Sequence, residues 1–172
     1  MKEQENSRGE QLRKALSYTK KNGYDRVDRA ELEAMDAYCT GYKQFLDAGK
    51  TERECVDRTI ALAEAAGFRA YVRGMELKPG DRIYQVNRDK AIMLAVMGRD
   101  QGVNIAAAHI DSPRLDLKQN PLYEADELAF LKTHYYGGLR KYQWVTIPLE
   151  LHGVVVLKSG QVVRVSVGNG EG

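Results

Sequence analysis

Two residues with the chemistry of a metal site stand two positions apart in the sequence, His109 and Asp111. In an extended strand, residues two apart project to the same side, so these side chains are expected to point together. A metal-bound imidazole usually gives its other N–H to a carboxylate, which sets its tautomer and raises its basicity. The pair could therefore supply one metal ligand and a carboxylate beside it.

The segment before this pair is predicted to be a strand that places it at a sheet edge. Residues 103–110 contain almost no polar side chain, which predicts burial on both faces near the centre of a sheet. Pro113 donates no ladder hydrogen bond, so the strand should end there. Ligands of open α/β sheets bind beyond the carboxyl ends of the strands. By itself the signal is weak, because a His-x-Asp pair often arises by chance, and a surface histidine or one satisfied within the protein is the more ordinary interpretation.

Two amphipathic helices are predicted ahead of this strand. Asp28 is a suitable N-cap for the first, in which apolar residues recur every three or four positions up to Gly49. Thr51 and Glu54 have the spacing of a capping box, which begins a second helix that ends at Gly67. The apolar face of this second helix is expected to comprise Val56, Ile60, Leu62 and Ala63.

The remaining pattern is typical of β-structure. Two β-type runs on either side of Asp89-Lys90 predict a hairpin. After Pro113 the sequence is almost wholly β-like, with a tight turn expected at residues 158–160. The candidate strands are residues 82–88, 91–97, 114–117, 129–136, 145–157 and 161–167.

The composition is that of a soluble globular protein. The 172 residues are 43% hydrophobic and 29% charged with a net charge of +2, which gives no reason to expect a nucleic-acid or membrane partner. The apolar runs are far shorter than the roughly 20 residues that cross a bilayer. The polar first residues predict no secretory signal. Two cysteines, Cys39 and Cys55, indicate reduced thiols in a cytoplasmic protein rather than a disulfide framework.

Three segments carry a resemblance to a known family. Residues 107–118 read AAHIDSPRLDLK, residues 120–122 read NPL, and residues 132–138 read KTHYYGG. Together they resemble the aspartyl aminopeptidase (aminopeptidase I) family of zinc exopeptidases, from about residue 81 to about residue 156. The HIDSPRL segment is the more specific match, and the downstream YYGG adds an independent one.

The resemblance implies a site and a reaction. Members use two divalent metals, usually zinc, with a bridging water to remove one residue from the amino terminus of a peptide. By this resemblance His109 is a metal ligand and Asp111 is the catalytic carboxylate beside it. Cobalt or manganese is also compatible with nitrogen and oxygen ligands. The family's other ligands would lie beyond position 172, so this chain is expected to be an amino-terminal part that is inactive alone.

The resemblance also implies an α/β fold in two parts: part of a zinc-exopeptidase-like catalytic layer, then part of a β-rich dimerisation domain. The expected boundaries are a polar lead-in at residues 1–27, the catalytic part at residues 28–116, and the start of the dimerisation domain at residues 117–172. Peptide substrates and a homo-oligomer built from dimers are implied as partners.

Several other polar residues are interpreted as structural. His134 and His152 are expected to be ordinary structural or exposed histidines, and Glu124, Asp126 and Glu127 to form a solvated turn. A catalytic zinc takes three protein ligands and an open position, and the sequence clusters no other group with His109. The alternative function is therefore a non-catalytic β-rich assembly module that keeps the fold without the activity.

Overall fold

A computed structural model describes residues 7–18, 20–100 and 102–168. The chain divides into two compact units, residues 1–42 and 43–172. Within the described residues, no helix is long and apolar enough to cross a membrane. The helices and strands are α1 (Arg8–Leu16), α2 (Arg29–Ala48), α3 (Glu52–Ala65), β1 (Arg69–Ala70), β2 (Arg82–Asn87), β3 (Ala91–Val96), β4 (Arg114–Ala125), β5 (Leu128–Tyr136), α4 (Lys141–Trp144), β6 (Leu151–Val156) and β7 (Val162–Val167).

The first unit contains α1 and most of α2, and both helices begin with a capping box. The Glu10 N–H donates to Ser7 Oγ at 3.4 Å, and the Ser7 N–H donates to the Glu10 carboxylate at 3.1 Å. Asp28 and Glu31 exchange the same pair of hydrogen bonds at 2.9 and 3.0 Å. The predicted N-cap of α2 is thus confirmed. The polar lead-in contains a regular helix, α1, although its first six residues lie outside the described part of the chain.

The second unit begins with α3, whose predicted capping box is present. The Thr51 N–H donates to the Glu54 carboxylate at 2.9 Å, and the Glu54 N–H donates to Thr51 Oγ1 at 3.3 Å. Val56 and Ala63 of the predicted apolar face are buried. Leu62 is 52% exposed, so its assignment to that face is wrong. Leu62 lies about 120° from Val56 around the helix axis, which turns it away from the buried face.

One face of α3 packs against a three-stranded sheet with the order β1-β2-β3. Strands β2 and β3 form the predicted antiparallel hairpin, and the short β1 runs parallel to β2. Arg88 and Asp89 have positive φ angles of 53° and 55°. The turn therefore begins one residue earlier than Asp89-Lys90, the pair expected from the sequence.

The prediction of a strand at residues 103–110 is wrong. Residues 102–113 form no strand, and Val103 and Ile105 are 78% and 83% exposed. A strand of this composition needs a paired neighbour on each side and cover on both faces. The described residues supply neither, so the apolar character of the segment does not lead to burial here.

Strands β4 and β5 form a long hairpin. Its two-residue turn is Asp126-Glu127, with φ angles of 52° and 63°, which is the backbone of a type I′ turn. This confirms the solvated turn at Asp126 and Glu127, but the prediction is wrong for Glu124, which is exposed within β4 and pairs with Ala129 of β5. The register shifts within residues 117–122, which include Pro121, a residue with no N–H for the ladder.

Strands β6 and β7 form a second hairpin. The strand predicted at residues 145–157 is shorter than expected, because β6 begins at Leu151 and α4 lies just before residue 145. Pro148 explains the late start, since it cannot donate a ladder hydrogen bond. The predicted tight turn is present: the Gly160 N–H donates to Leu157 O at 2.8 Å.

The buried core of the described residues lies where α2 is followed by α3. Gly49, Cys55, Val56 and Ala63 are buried there. Cys55 Sγ lies 3.3 Å from the carbonyl oxygen of Gly49, and a Cβ added to Gly49 would come within 2.7 Å of that sulfur. Burial raises the pKa of the Cys55 thiol. Cys39 is exposed, and both cysteines are free thiols, as predicted.

This contact predicts opposite effects for two glycine substitutions. Gly49→Ala should lower the free energy of unfolding by about 1–3 kcal/mol, because the new methyl group overpacks against Cys55. The matched control is Gly41→Ala within α2, where a Cβ meets nothing within 4 Å. The control should raise the free energy of unfolding by about 0.5–1 kcal/mol. Urea unfolding measures both, and equal effects would contradict the close contact.

Candidate metal centre

His109 and Asp111 lie together just before β4 begins. His109 Nδ1 is 3.1 Å from Asp111 Oδ1 and 3.0 Å from the Asp111 backbone oxygen. The imidazole is 83% exposed, whereas the carboxylate is 30% exposed. The ring is thus held from one edge, and its other edge faces outward.

Tyr136 completes the hydrogen bonding of this carboxylate, a contact that sequence reasoning missed. The Tyr136 hydroxyl at the end of β5 donates to Asp111 Oδ2 at 2.6 Å. This hydrogen bond is the main cause that lowers the pKa of Asp111, with further help from the Asp111 backbone N–H and from His109. The same contact raises the pKa of Tyr136, because its proton is shared with a carboxylate. Each oxygen of Asp111 therefore has its own partner.

Arg114 holds the Tyr136 ring from the opposite strand. The β4–β5 register places these two residues directly across from each other, and the Arg114 guanidinium carbon lies 4.2 Å from the ring centroid. Arg114 also pairs with Glu52 of α3 at 3.1 Å and with Asp116 at 2.7 Å. Partial burial opposes the charge on Arg114, but its two carboxylates outweigh burial and raise the Arg114 pKa.

The hydrogen bonding of His109 is that of an imidazole able to bind a metal ion. Because Nδ1 faces Asp111, the lone pair of His109 Nε2 is directed away, and Nε2 has no hydrogen-bond partner among the described residues. This is the carboxylate–histidine arrangement found behind protein metal ligands. The described residues contain no group of three His, Cys, Asp or Glu able to hold a metal ion.

The two other histidines lie away from this pair. His134 is exposed on β5 beside Tyr135. His152 on β6 is structural: its Nδ1 lies 2.7 Å from Glu54 Oε1 and its Nε2 2.8 Å from Glu150 Oε2. The His152 side chain is 11% exposed, so this bridge is well shielded from water.

The His152 bridge shifts the pKa of both main partners. Burial alone would lower the pKa of His152, but the hydrogen bonds to Glu150 and Glu54 outweigh burial and raise it. Burial alone would raise the pKa of Glu54, but hydrogen bonds from His152 and Thr51 outweigh burial and lower it. The folded state therefore favours the ion pair of charged imidazolium and carboxylate.

These directions predict a pH-dependent contribution to stability. A histidine whose pKa is raised by folding stabilises the folded state fully when the pH is below its ordinary pKa of 6.5. This stabilisation is lost as the pH rises through the folded-state pKa. Because folding lowers the pKa of Glu54, this residue stabilises the folded state when the pH is above its ordinary pKa of 4.5. This stabilisation is lost as the pH falls through the folded-state pKa. His152→Gln should thus lower the free energy of unfolding by about 1–3 kcal/mol at pH 6 and by clearly less at pH 9. Denaturant unfolding at both pH values measures this.

The exposed His134 provides the control for this experiment. His134→Gln removes the same chemical group from a solvated position on β5 and should change the free energy of unfolding by less than about 0.5 kcal/mol at either pH. If His152→Gln lowers the free energy of unfolding by the same amount at pH 6 and at pH 9, the charged bridge does not form.

Comparison with known proteins identifies the family. Residues 45–168 match the family model described as Aminopeptidase I zinc metalloprotease (M18). The chain belongs to the M18 aminopeptidase family, which confirms the resemblance seen in its motifs.

Curated relatives match over most of this chain. It is 49% identical over 155 residues to "Probable M18 family aminopeptidase 1" of Clostridium acetobutylicum, covering 86% of this chain and 33% of the relative. It is 41% identical over 143 residues to the protein of the same name in Thermotoga maritima, covering 80% of this chain and 31% of the relative. The chain thus spans about a third of the length of these relatives.

Solved structures confirm the mixed α/β fold class. Aminopeptidase I from Borrelia burgdorferi B31 superimposes with a TM-score of 0.81 at 38% identity, covering 86% of this chain and 37% of that one. Aminopeptidase I from Clostridium acetobutylicum gives a TM-score of 0.75 at 46% identity, covering 91% of this chain and 36% of that one.

Proposed function

We propose that the product of the full reading frame is a metal-dependent aminopeptidase that removes single amino-terminal residues from peptides. The observation that carries this proposal is the match of residues 45–168 to the M18 family. The contact between His109 and Asp111 supports it, because the match includes the segment that holds them. The match also favours an enzyme over a non-catalytic assembly module.

In this proposal His109 Nε2 is a metal ligand, and the Nδ1–H group of the same ring donates a hydrogen bond to the Asp111 carboxylate. Zinc is the proposed metal, in a site for two divalent ions, and cobalt or manganese would also accept these donors. A bound zinc supplies a Lewis acid that polarises the peptide carbonyl and lowers the pKa of its water. Asp111 orients the imidazole and keeps it basic, since its negative charge lies against Nδ1.

The proposal assigns two parts of the chain to two different domains. Residues 28–116 would form the amino-terminal part of the catalytic domain, and residues 117–172 would begin a dimerisation domain. The exposed apolar side chains of the two hairpins support an assembly role, because isolated two-stranded sheets are marginally stable in water. A dimer-based homo-oligomer in the cytoplasm, where both cysteines stay reduced, fits these features.

Substitutions at the proposed site test the function. In the product of the full reading frame, His109→Ala should lower metal content and peptidase activity together, because a ligand is lost. Asp111→Asn keeps the shape of the side chain but removes its charge, and should lower activity by about 10- to 100-fold. Metal analysis and hydrolysis of aspartyl and leucyl anilides measure both effects.

His134→Ala is the matched control, since it removes an exposed histidine from a neighbouring strand. It should keep full activity and metal content. Unchanged metal content in His109→Ala, or full activity in Asp111→Asn, would show that the site is assigned to the wrong residues.

A further inference from the structure

We propose that Tyr136 is a positioning residue for this site. Its hydroxyl fixes Asp111, and Asp111 in turn keeps the His109 ring in the tautomer that directs Nε2 toward a metal. The inference rests on the proposed function and adds a residue that acts through Asp111. Tyr136 itself touches neither His109 nor a metal position.

The segment that carries His109 and Asp111 has no regular structure. Residues 102–113 form no strand and pair with no strand of the described chain, so the backbone alone does not fix Asp111. A carboxylate held at one oxygen can still rotate about its Cβ–Cγ bond. Asp111 is held at both, by His109 Nδ1 at Oδ1 and by the Tyr136 hydroxyl at Oδ2. The second contact ties an irregular segment to a regular strand.

Tyr136 is itself well placed to act as a fixed point. It ends β5 within a paired ladder, opposite Arg114. The Arg114 guanidinium lies over its ring at 4.2 Å and is held by Glu52 of α3 and by Asp116 of β4. Gly137, with φ 78°, follows directly, and a Cβ added there would lie 3.3 Å from Pro113 Cα. This close approach brings the end of β5 against the segment that carries Asp111.

The tautomer of His109 connects this contact to metal binding. A neutral imidazole carries one N–H, and the hydrogen bond made by one nitrogen decides which nitrogen is left to bind a metal. A fixed Asp111 carboxylate favours the proton on Nδ1 and the lone pair on Nε2. When the Tyr136 hydroxyl is removed, the Asp111 carboxylate can turn away from Nδ1. Only the Asp111 backbone oxygen, 3.0 Å from Nδ1, then favours the proton there, so the binding tautomer is less populated.

The experiment compares Tyr136→Phe with Tyr135→Phe in the product of the full reading frame. Tyr136→Phe removes one oxygen and keeps the ring beneath Arg114, whereas Tyr135 lies next to it, where its ring contacts Lys141 and His134. Zinc affinity is measured by dialysis against a chelator buffer with metal analysis. Tyr136→Phe should weaken zinc binding about tenfold, whereas kcat at saturating zinc should match the wild type, because bound zinc itself keeps the proton off Nε2. Tyr135→Phe should match the wild type in each measurement.

A double-mutant cycle separates positioning from packing. If Tyr136 acts through Asp111, Tyr136→Phe should weaken zinc binding no further in an Asp111→Ala background. An equal additional loss in that background would overturn the inference, and so would wild-type zinc affinity in Tyr136→Phe.

His109→Ala distinguishes this failure from failure of the proposed function. If His109→Ala loses zinc while Tyr136→Phe keeps wild-type affinity, the metal site stands and the role of Tyr136 is wrong. If His109→Ala keeps its zinc, or the wild-type protein binds none, both proposals are overturned.

Discussion

The second unit depends on the charged beginning of α3. Three acidic residues in its first two turns each bind a basic residue on a different β-strand, β4, β6 or β7. The pairs are Glu52 with Arg114, Glu54 with His152, and Asp57 with Arg164. Exposed ion pairs contribute little individually, but these strands belong to two-stranded hairpins with small cores of their own. The helix therefore supplies each of the two hairpins with a specific point of attachment.

One of these attachments leads to the candidate metal centre. Glu52 binds Arg114, Arg114 covers the ring of Tyr136, and Tyr136 donates to Asp111 beside His109. The imidazole at one end of this series is its most exposed member, at 83%, whereas the Arg114 and Glu52 side chains at the other end are only 28% and 22% exposed. The solvent-facing imidazole of His109 is thus supported by a helix and a hairpin, although the segment that carries it has no regular structure.

Local sequence signals were sufficient for part of this architecture. The capping boxes at Asp28 and Thr51 and the solvated turn at Asp126 could be predicted because their partners lie within a few residues. The predicted burial of residues 103–110 was wrong, because burial there requires paired strands that the described residues do not provide. The contact between His109 and Asp111 was predicted from the side-chain alternation of a strand, but these residues form no strand, so an irregular backbone brings them together. The contact of Tyr136 with Asp111 depends on the β4–β5 register, which no local pattern reveals. The partner of His152 lies on α3, too distant in sequence for any local pattern to reveal.

Two hairpin turns have a further consequence for the order in which the protein folds. Arg88, Asp89, Asp126 and Glu127 all have positive φ angles, although none is glycine. Each such residue costs on the order of 1 kcal/mol, so neither turn is favoured before its strands meet. We infer that pairing along β2–β3 and β4–β5 precedes turn closure, in contrast to hairpins that grow outward from an Asn-Gly turn. The corresponding kinetic signature is a glycine substitution in a turn that slows unfolding and leaves the folding rate unchanged.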